Sequence, residues 1–175
     1  RDRERVRTIF GRHVSDVVAD ELLDRSTQIQ DDREVVVLFL DIRNFTGFSE
    51  NRAPKEVVEY LNNLFEEFVD TIELHQGFVN KFLGDGLMAV FGAPLDDPDA
   101  AEHACLAAEE LDTRVKALVA RNTIPPTAIS IGIHMGRALT GTVGTDARQE
   151  YTVIGDTVNT AARIEALNRQ FETTI

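Results

Sequence analysis

The sequence predicts an α+β fold: a ferredoxin-like split βαβ core, in the order β-α-β-β-α-β, with additional C-terminal strands and a helix. Three observations carry that expectation. A continuous apolar run of β type, Val35-Val-Val-Leu-Phe-Leu40, reads as a strand buried on both faces. Phe78–Leu83 and Leu87–Phe91 flank Gly84-Asp85-Gly86, which has the composition of a hairpin turn. Helical stretches from Pro54 to Ile72 and from about Asp99 to Arg121 stand on either side of that hairpin.

Taken in order, residues 1–23 are charged, with Val6, Ile9, Phe10, Val14, Val17, Val18 and Leu22 spaced like one helix face. Arg1 to Arg7 alternates in sign, which suits an exposed helix or coiled-coil segment. This segment is either a helix packed on its own domain or a connector from an upstream sensor. The first strand ends at Asp41. Pro54 opens a helix with the apolar stripe Val57, Val58, Leu61, Leu64, Phe65, Phe68, Val69 and Ile72, and Gly77 stops it. Pro125-Pro126 ends the second helix, and Ala128–His134 is the next strand. Beyond it come a glycine-rich strand from Gly136, an irregular stretch at Asp146–Glu150, a strand at Tyr151–Ile154 and a helix bearing Asn159. No internal repeat, low-complexity tract or second domain interrupts residues 24–175.

At 175 residues, with 43% hydrophobic and 27% charged side chains, the chain can bury a real core. Its net charge of −12 excludes nucleic acid as a partner, because no basic stripe exists to neutralise a phosphate backbone. An acidic protein that binds a polyphosphate needs metal ions to reverse the local field. The single Cys105 excludes an internal disulfide and fits a reducing compartment. No apolar run approaches the roughly 20 residues of a membrane span. The expectation is a soluble, cytoplasmic segment without membrane contact of its own, as part of a larger multidomain or membrane-tethered protein.

The chemistry concentrates in three places. Asp41 and Asp85 stand at strand ends, where lifted carboxylates are the hard oxygen ligands Mg²⁺ uses when it also holds phosphates. Either acid alone would read as a turn residue; the split βαβ topology, with the first strand beside the hairpin, brings them to neighbouring loops. Free backbone N–H groups in the loop after Asp41 can cradle phosphates. Asn159 and Arg163, four apart, share one face of a helix, and an amide beside a guanidinium suits a sugar-phosphate. Val158, Ala161, Ala162 and Ile164 around them suggest a helix packed on both sides, so Arg163 should have an anionic partner, protein or ligand. Lys81 can donate to a heterocyclic nitrogen and Thr152 can accept from an exocyclic amine, although each also fits the wet side of a strand. His13, His75, His103 and His134 lack metal-ligand spacing.

Phe39-Leu-Asp41-Ile-Arg-Asn-Phe45-Thr46, Lys81-Phe-Leu-Gly84-Asp85 and Tyr151-Thr-Val-Ile-Gly155-Asp-Thr-Val-Asn159-Thr-Ala-Ala-Arg163 together resemble the class III nucleotidyl cyclase catalytic domain. The similarity spans roughly residues 33–175. It implies a homodimer with composite sites. Asp41 and Asp85 of one chain would hold two Mg²⁺, with the Ile42 carbonyl, and Mn²⁺ would substitute; the loop residues Ile42, Phe45 and Thr46 would meet substrate. Lys81 and Thr152 of the other chain would read adenine, Asn159 would orient the ribose and Arg163 would stabilise the transition-state phosphate. Family guanylyl cyclases usually carry Glu in place of Lys81, so the resemblance favours ATP. Thr152, where many relatives carry Asp, is similar to the subgroup associated with bicarbonate stimulation. Residues 1–23 then become a connector helix, and residues 24–175 the catalytic domain, with family secondary structure expected beyond Ile175. The competing readings are a guanylyl cyclase and a catalytically silent domain that dimerises.

Overall fold

In the computed structural model the central strand is β1 (Asp31–Ile42), paired antiparallel with β3 (Gly86–Phe91) on one side and β4 (Ile129–Thr145) on the other. The structure describes residues 30–145 and 148–175. β2 (Phe78–Leu83) and β5 (Arg148–Ile154) complete a five-stranded sheet in the order β2-β3-β1-β4-β5. With every neighbouring pair antiparallel, β2-β3-β1-β4 is the split βαβ arrangement, and β5 extends it.

Alternation along β1 explains why the run at its centre is apolar throughout. Val36, Leu38 and Leu40 face a core built with α2 (Pro54–Leu74) and α3 (Ala100–Ala120), while Val35 and Val37 face a second core that includes Ala161 of α4 (Asp156–Phe171). Helices therefore cover both faces. α2 starts at Pro54, whose missing N–H costs nothing there, and Glu56 reaches back to accept from the Ala53 N–H at 3.3 Å. Its buried stripe is Tyr60, Leu64, Phe68, Thr71 and Ile72. Val58, expected in that stripe, is 56% exposed and falls outside it.

α4 lies unusually close to β4. A Cβ on Gly132 would stand 2.3 Å from the Glu165 backbone nitrogen, so only glycine lets the helix approach. Side chains then fasten the two elements. Thr157 Oγ1 donates to the Arg137 carbonyl at 2.7 Å, and buried Asn168 donates from Nδ2 to the Ile131 carbonyl at 2.7 Å.

Three expectations need revision. β4 is one 17-residue strand rather than two, because Gly136 marks where Thr157 presses on the strand and not where the strand stops. β1 begins four residues earlier than its apolar run, since polar residues 31–34 still pair with β4. β5 starts at Arg148, inside the stretch expected to be irregular, because Thr145–Arg148 to Leu139–Ile154 close a hairpin ladder. The connector helix expected over residues 1–23 lies outside the described residues.

Replacing Gly132 with Ala should force α4 off the sheet and destabilise the domain by about 1–3 kcal/mol, the usual range for overpacking. Thermal unfolding followed by circular dichroism checks this; an unchanged midpoint would mean that α4 yields freely.

Candidate active site

Register places the two strand-end acids together. Asp41 pairs with Gly86, and Asp85 immediately precedes it in the turn between β2 and β3. Gly86 makes the approach feasible, because a Cβ there would meet the Leu40 carbonyl at 2.3 Å and Asp41 Oδ1 at 3.1 Å. Both acids are half-buried. Burial, followed by the neighbouring Asp85 and Glu165 carboxylates, pushes the Asp41 carboxyl up to about 6, against the opposing effect of the Ile42 N–H and Arg169. Like charges held in partial burial form a donor set that a divalent cation relieves. Among the described residues no group of three or more His, Cys, Asp or Glu side chains is arranged to hold a metal. Two carboxylates with a backbone carbonyl fit a hard cation that takes its remaining ligands from water and phosphate.

The loop after Asp41 enters α1 (Phe45–Ser49) through Asn44, which adopts a left-handed conformation at φ 55 and gives no side-chain cap. The Arg43 N–H is used by the Ala128 carbonyl at 2.9 Å. Phe45 turns inward, packing toward Phe48 with ring centroids 6.2 Å apart, whereas Thr46 is exposed and its carbonyl accepts from the Ser49 hydroxyl and the Glu50 N–H. Ile42 is buried at 2% exposure, so its backbone and not its side chain is what the site can use.

Lys81 and Thr152 come from strands at opposite edges of the sheet, yet the structure draws those strands together. Asn80 Nδ2 donates to the Tyr151 carbonyl at 2.9 Å, Phe78 meets the Tyr151 ring edge-on at 6.0 Å, and Lys81 Nζ lies 3.8 Å from Glu150 Oε1. Thr152 follows Tyr151 directly and is half-buried.

Asn159 and Arg163 stand on α4 as the spacing predicts, but their surroundings differ from expectation. α4 buries Thr157, Ala161 and Asn168 against the sheet, while both Asn159 and Arg163 are exposed. Arg163 makes no ion pair among the described residues. The small residues beside it serve a one-sided helix contact, not enclosure. It is the C-terminal half of α4 that reaches Asp41. Arg43, Asn44, Ser130, Glu165, Arg169 and Glu172 join Asp41 around a pocket of about 430 Å³. Sequence reasoning missed Glu165 and Arg169; their four-residue spacing was available, but nothing local links it to a residue 124 positions earlier. His75 and His103 pair with Glu110 and Asp97 at 2.7 Å each, His134 is half-buried, and His13 lies outside the described residues.

The split βαβ sheet carries two converging strand-end carboxylates and an exposed polar helix face, and comparison with known proteins names the class of this fold. Residues 27–174 match the family described as Adenylate and Guanylate cyclase catalytic domain. This chain belongs to that family. Adenylate cyclase 1 of Rhizobium meliloti is 38% identical over 146 residues, covering 82% of this chain and 22% of the relative. The crystal structure of the adenylyl cyclase CyaB from P. aeruginosa superposes with a TM-score of 0.75 at 30% identity, over 79% of this chain and 74% of that one. The crystal structure of the guanylyl cyclase Cya2 gives 0.66 at 36% identity, over 78% and 71%. The chain spans less than a third of the length of the curated relatives it matches. Class III cyclases generally use divalent metals. Among the described residues, no helix is long and apolar enough to cross a membrane.

The raised Asp41 carboxyl has a stability consequence with a definite sign. In the unfolded chain it ionises near 3.8, in the folded protein near 6, so the folded state is penalised progressively as pH rises between those values and fully above them. Asp41→Asn should therefore raise the melting temperature of metal-free protein at about pH 7.5, and the gain should vanish toward about pH 4. A melting-temperature difference that is flat across this range would remove the raised Asp41 carboxyl as its cause.

Proposed function

We propose that this chain is the catalytic domain of an adenylyl cyclase, converting ATP to 3′,5′-cyclic AMP and pyrophosphate at composite sites of a homodimer. The observation that carries the reading is the β1–β3 register, which pairs Asp41 with Gly86 and so sets Asp85 beside it, leaving a half-buried carboxyl whose burial and acidic neighbours a cation would offset. In the proposed reaction the ribose 3′-oxygen attacks the α-phosphorus. The bond from that phosphorus to the bridging oxygen of pyrophosphate breaks, and the 3′ proton passes to substrate or water. Two Mg²⁺, held by Asp41, Asp85 and the Ile42 carbonyl, would lower the pKa of the 3′-hydroxyl and neutralise the triphosphate when bound.

The remaining roles belong to side chains. The Arg163 fork stabilises charge on the phosphate as it transfers, and the Asn159 amide fixes the ribose so that the 3′-oxygen stays in line. Lys81 donates to a ring nitrogen of adenine and Thr152 accepts from its exocyclic amine. The loop Ile42–Thr46 lies against the phosphates, with Phe45 fixing its shape. The helical phase of α4 supports division of this machinery between two chains. Asn159 and Arg163 point away from the face that packs over β1, so an Asp41 in the same chain does not share their side. Exposed apolar residues beside the acids and on the β4–β5 hairpin, Phe82 at 51%, Leu83 at 45%, Val143 at 49% and Ile154 at 52%, suit a surface that a second copy covers.

The test is product formation from ATP and from GTP with Mg²⁺ or Mn²⁺, with and without bicarbonate at fixed pH. Cyclic AMP with little cyclic GTP is expected, and bicarbonate stimulation would follow from Thr152; predominant cyclic GTP would reverse the choice of base. Asp85→Ala should lower turnover by at least about a hundredfold without unfolding the domain.

Division of the site makes a sharper prediction. Asp41→Ala and Arg163→Ala chains, each inactive alone, should recover about a quarter of the wild-type rate when mixed equally, because half of the dimers then hold one intact site. Mixtures that remain inactive while heterodimers are seen to form would refute the composite site.

A further inference from the structure

The pairing of β2 with β3 slips at one residue. Phe78 pairs with Val90 and Val79 with Ala89, but Lys81 pairs with Met88, so Asn80 has no partner across the ladder. This is a β-bulge, and its consequence for Lys81 is geometric. Val90 and Met88 belong to the core on the α4 side of the sheet, Ala89 to the core on the α2 and α3 side. Phe78 and Lys81 therefore share the α4 side although they are three residues apart. In a regular strand that spacing puts side chains on opposite faces. One extra residue turns Lys81 from the α2 and α3 side to the α4 side, on which Tyr151 and Val153 of β5 also pack.

Asn80 does more than occupy the bulge. Its Nδ2 donates to the carbonyl of Tyr151, a residue 71 positions later on the far edge of the sheet. That bond belongs to no strand ladder; it is a side-chain clip between two edges. Its Oδ1 is buried and accepts from no group among the described residues. Stability alone would favour an apolar side chain over a buried amide with one acceptor unpaired.

We infer that Asn80 is a positioning residue for base selection: its bulge aims Lys81, and its amide holds the Tyr151 carbonyl so that Thr152 sits on a strand fixed beside that lysine. The inference rests on the proposed reading of Lys81 and Thr152 as the base-recognising pair. It adds a residue that touches neither substrate nor metal and assigns it the geometry on which discrimination between purines depends.

The experiment uses the whole domain and measures dissociation constants for 3′-deoxy-ATP and 3′-deoxy-GTP, which lack the attacking hydroxyl, alongside the affinity for pyrophosphate. Lys81→Ala and Thr152→Ala serve as references. Asn80→Ala and the isosteric Asn80→Asp, which cannot donate to a carbonyl, are the tests. Both Asn80 variants should weaken the adenine nucleotide about five- to tenfold, move the adenine-to-guanine ratio toward that of Lys81→Ala, and leave pyrophosphate affinity unchanged. Hydrogen exchange at the amides of residues 151–154 should accelerate in both. If the reference variants leave the ratio unchanged, the base-reading pair itself is wrong and this inference falls with it. If they shift the ratio and the Asn80 variants do not, or if these weaken both nucleotides and pyrophosphate equally, Asn80 is merely structural and the inference is overturned.

Discussion

Everything in this domain depends on the double pairing of β1. Hydrogen bonds to β3 on one side and β4 on the other fix it at the centre of the sheet, and helices on both faces bury its apolar run Val35–Leu38 and Leu40. A strand held on four sides cannot slip by one residue without turning every apolar side chain to the wrong core. That constraint sets Asp41 opposite Gly86 and therefore beside Asp85. The chemistry at the strand end is thus inherited from packing many ångströms away. The absence of a side chain on Gly86 and Gly132 extends the same logic, allowing the hairpin and α4 to come closer than any larger residue permits.

Electrostatics then works against the fold locally. A carboxyl lifted first by partial burial and then by its acidic neighbours is a liability to an isolated chain with a net charge of −12. The same arrangement is what a hard cation needs. Arg163, four residues past Asn159, is exposed on the side of α4 away from its packed face, so the acids and this guanidinium occupy separate surfaces of the chain.

Much of this was legible in the sequence. The β1 run and the Gly84-Asp85-Gly86 turn specify their own structure, because continuous apolar character and turn glycine are local properties. α2 was legible from Pro54 and its stripe. What was not legible required knowledge of contacts between distant segments. Gly136 looks like a strand terminus when read locally, but it is a contact point for Thr157. Arg163 looked enclosed because its neighbours are small, yet small residues on one side of a helix suffice for a single close contact. The roles of Glu165 and Arg169 around Asp41 depend on how far α4 runs along β1, which no periodicity encodes. The bulge at Asn80 was also invisible, since Phe78–Leu83 reads as an ordinary alternating strand and only the register against β3 exposes the extra residue.

That bulge has an evolutionary consequence. On a regular strand, a change of side chain is the only way to alter what a position presents. Here the facing of Lys81 is set by residue count, so loss or gain of a single codon between Phe78 and Lys81 would exchange the inward and outward frames of everything between the bulge and the turn. Substitutions at position 81 explore chemistry on a fixed face; insertions and deletions upstream of it explore the face itself. Strand length can therefore change which face position 81 presents, with the composition of the strand left intact.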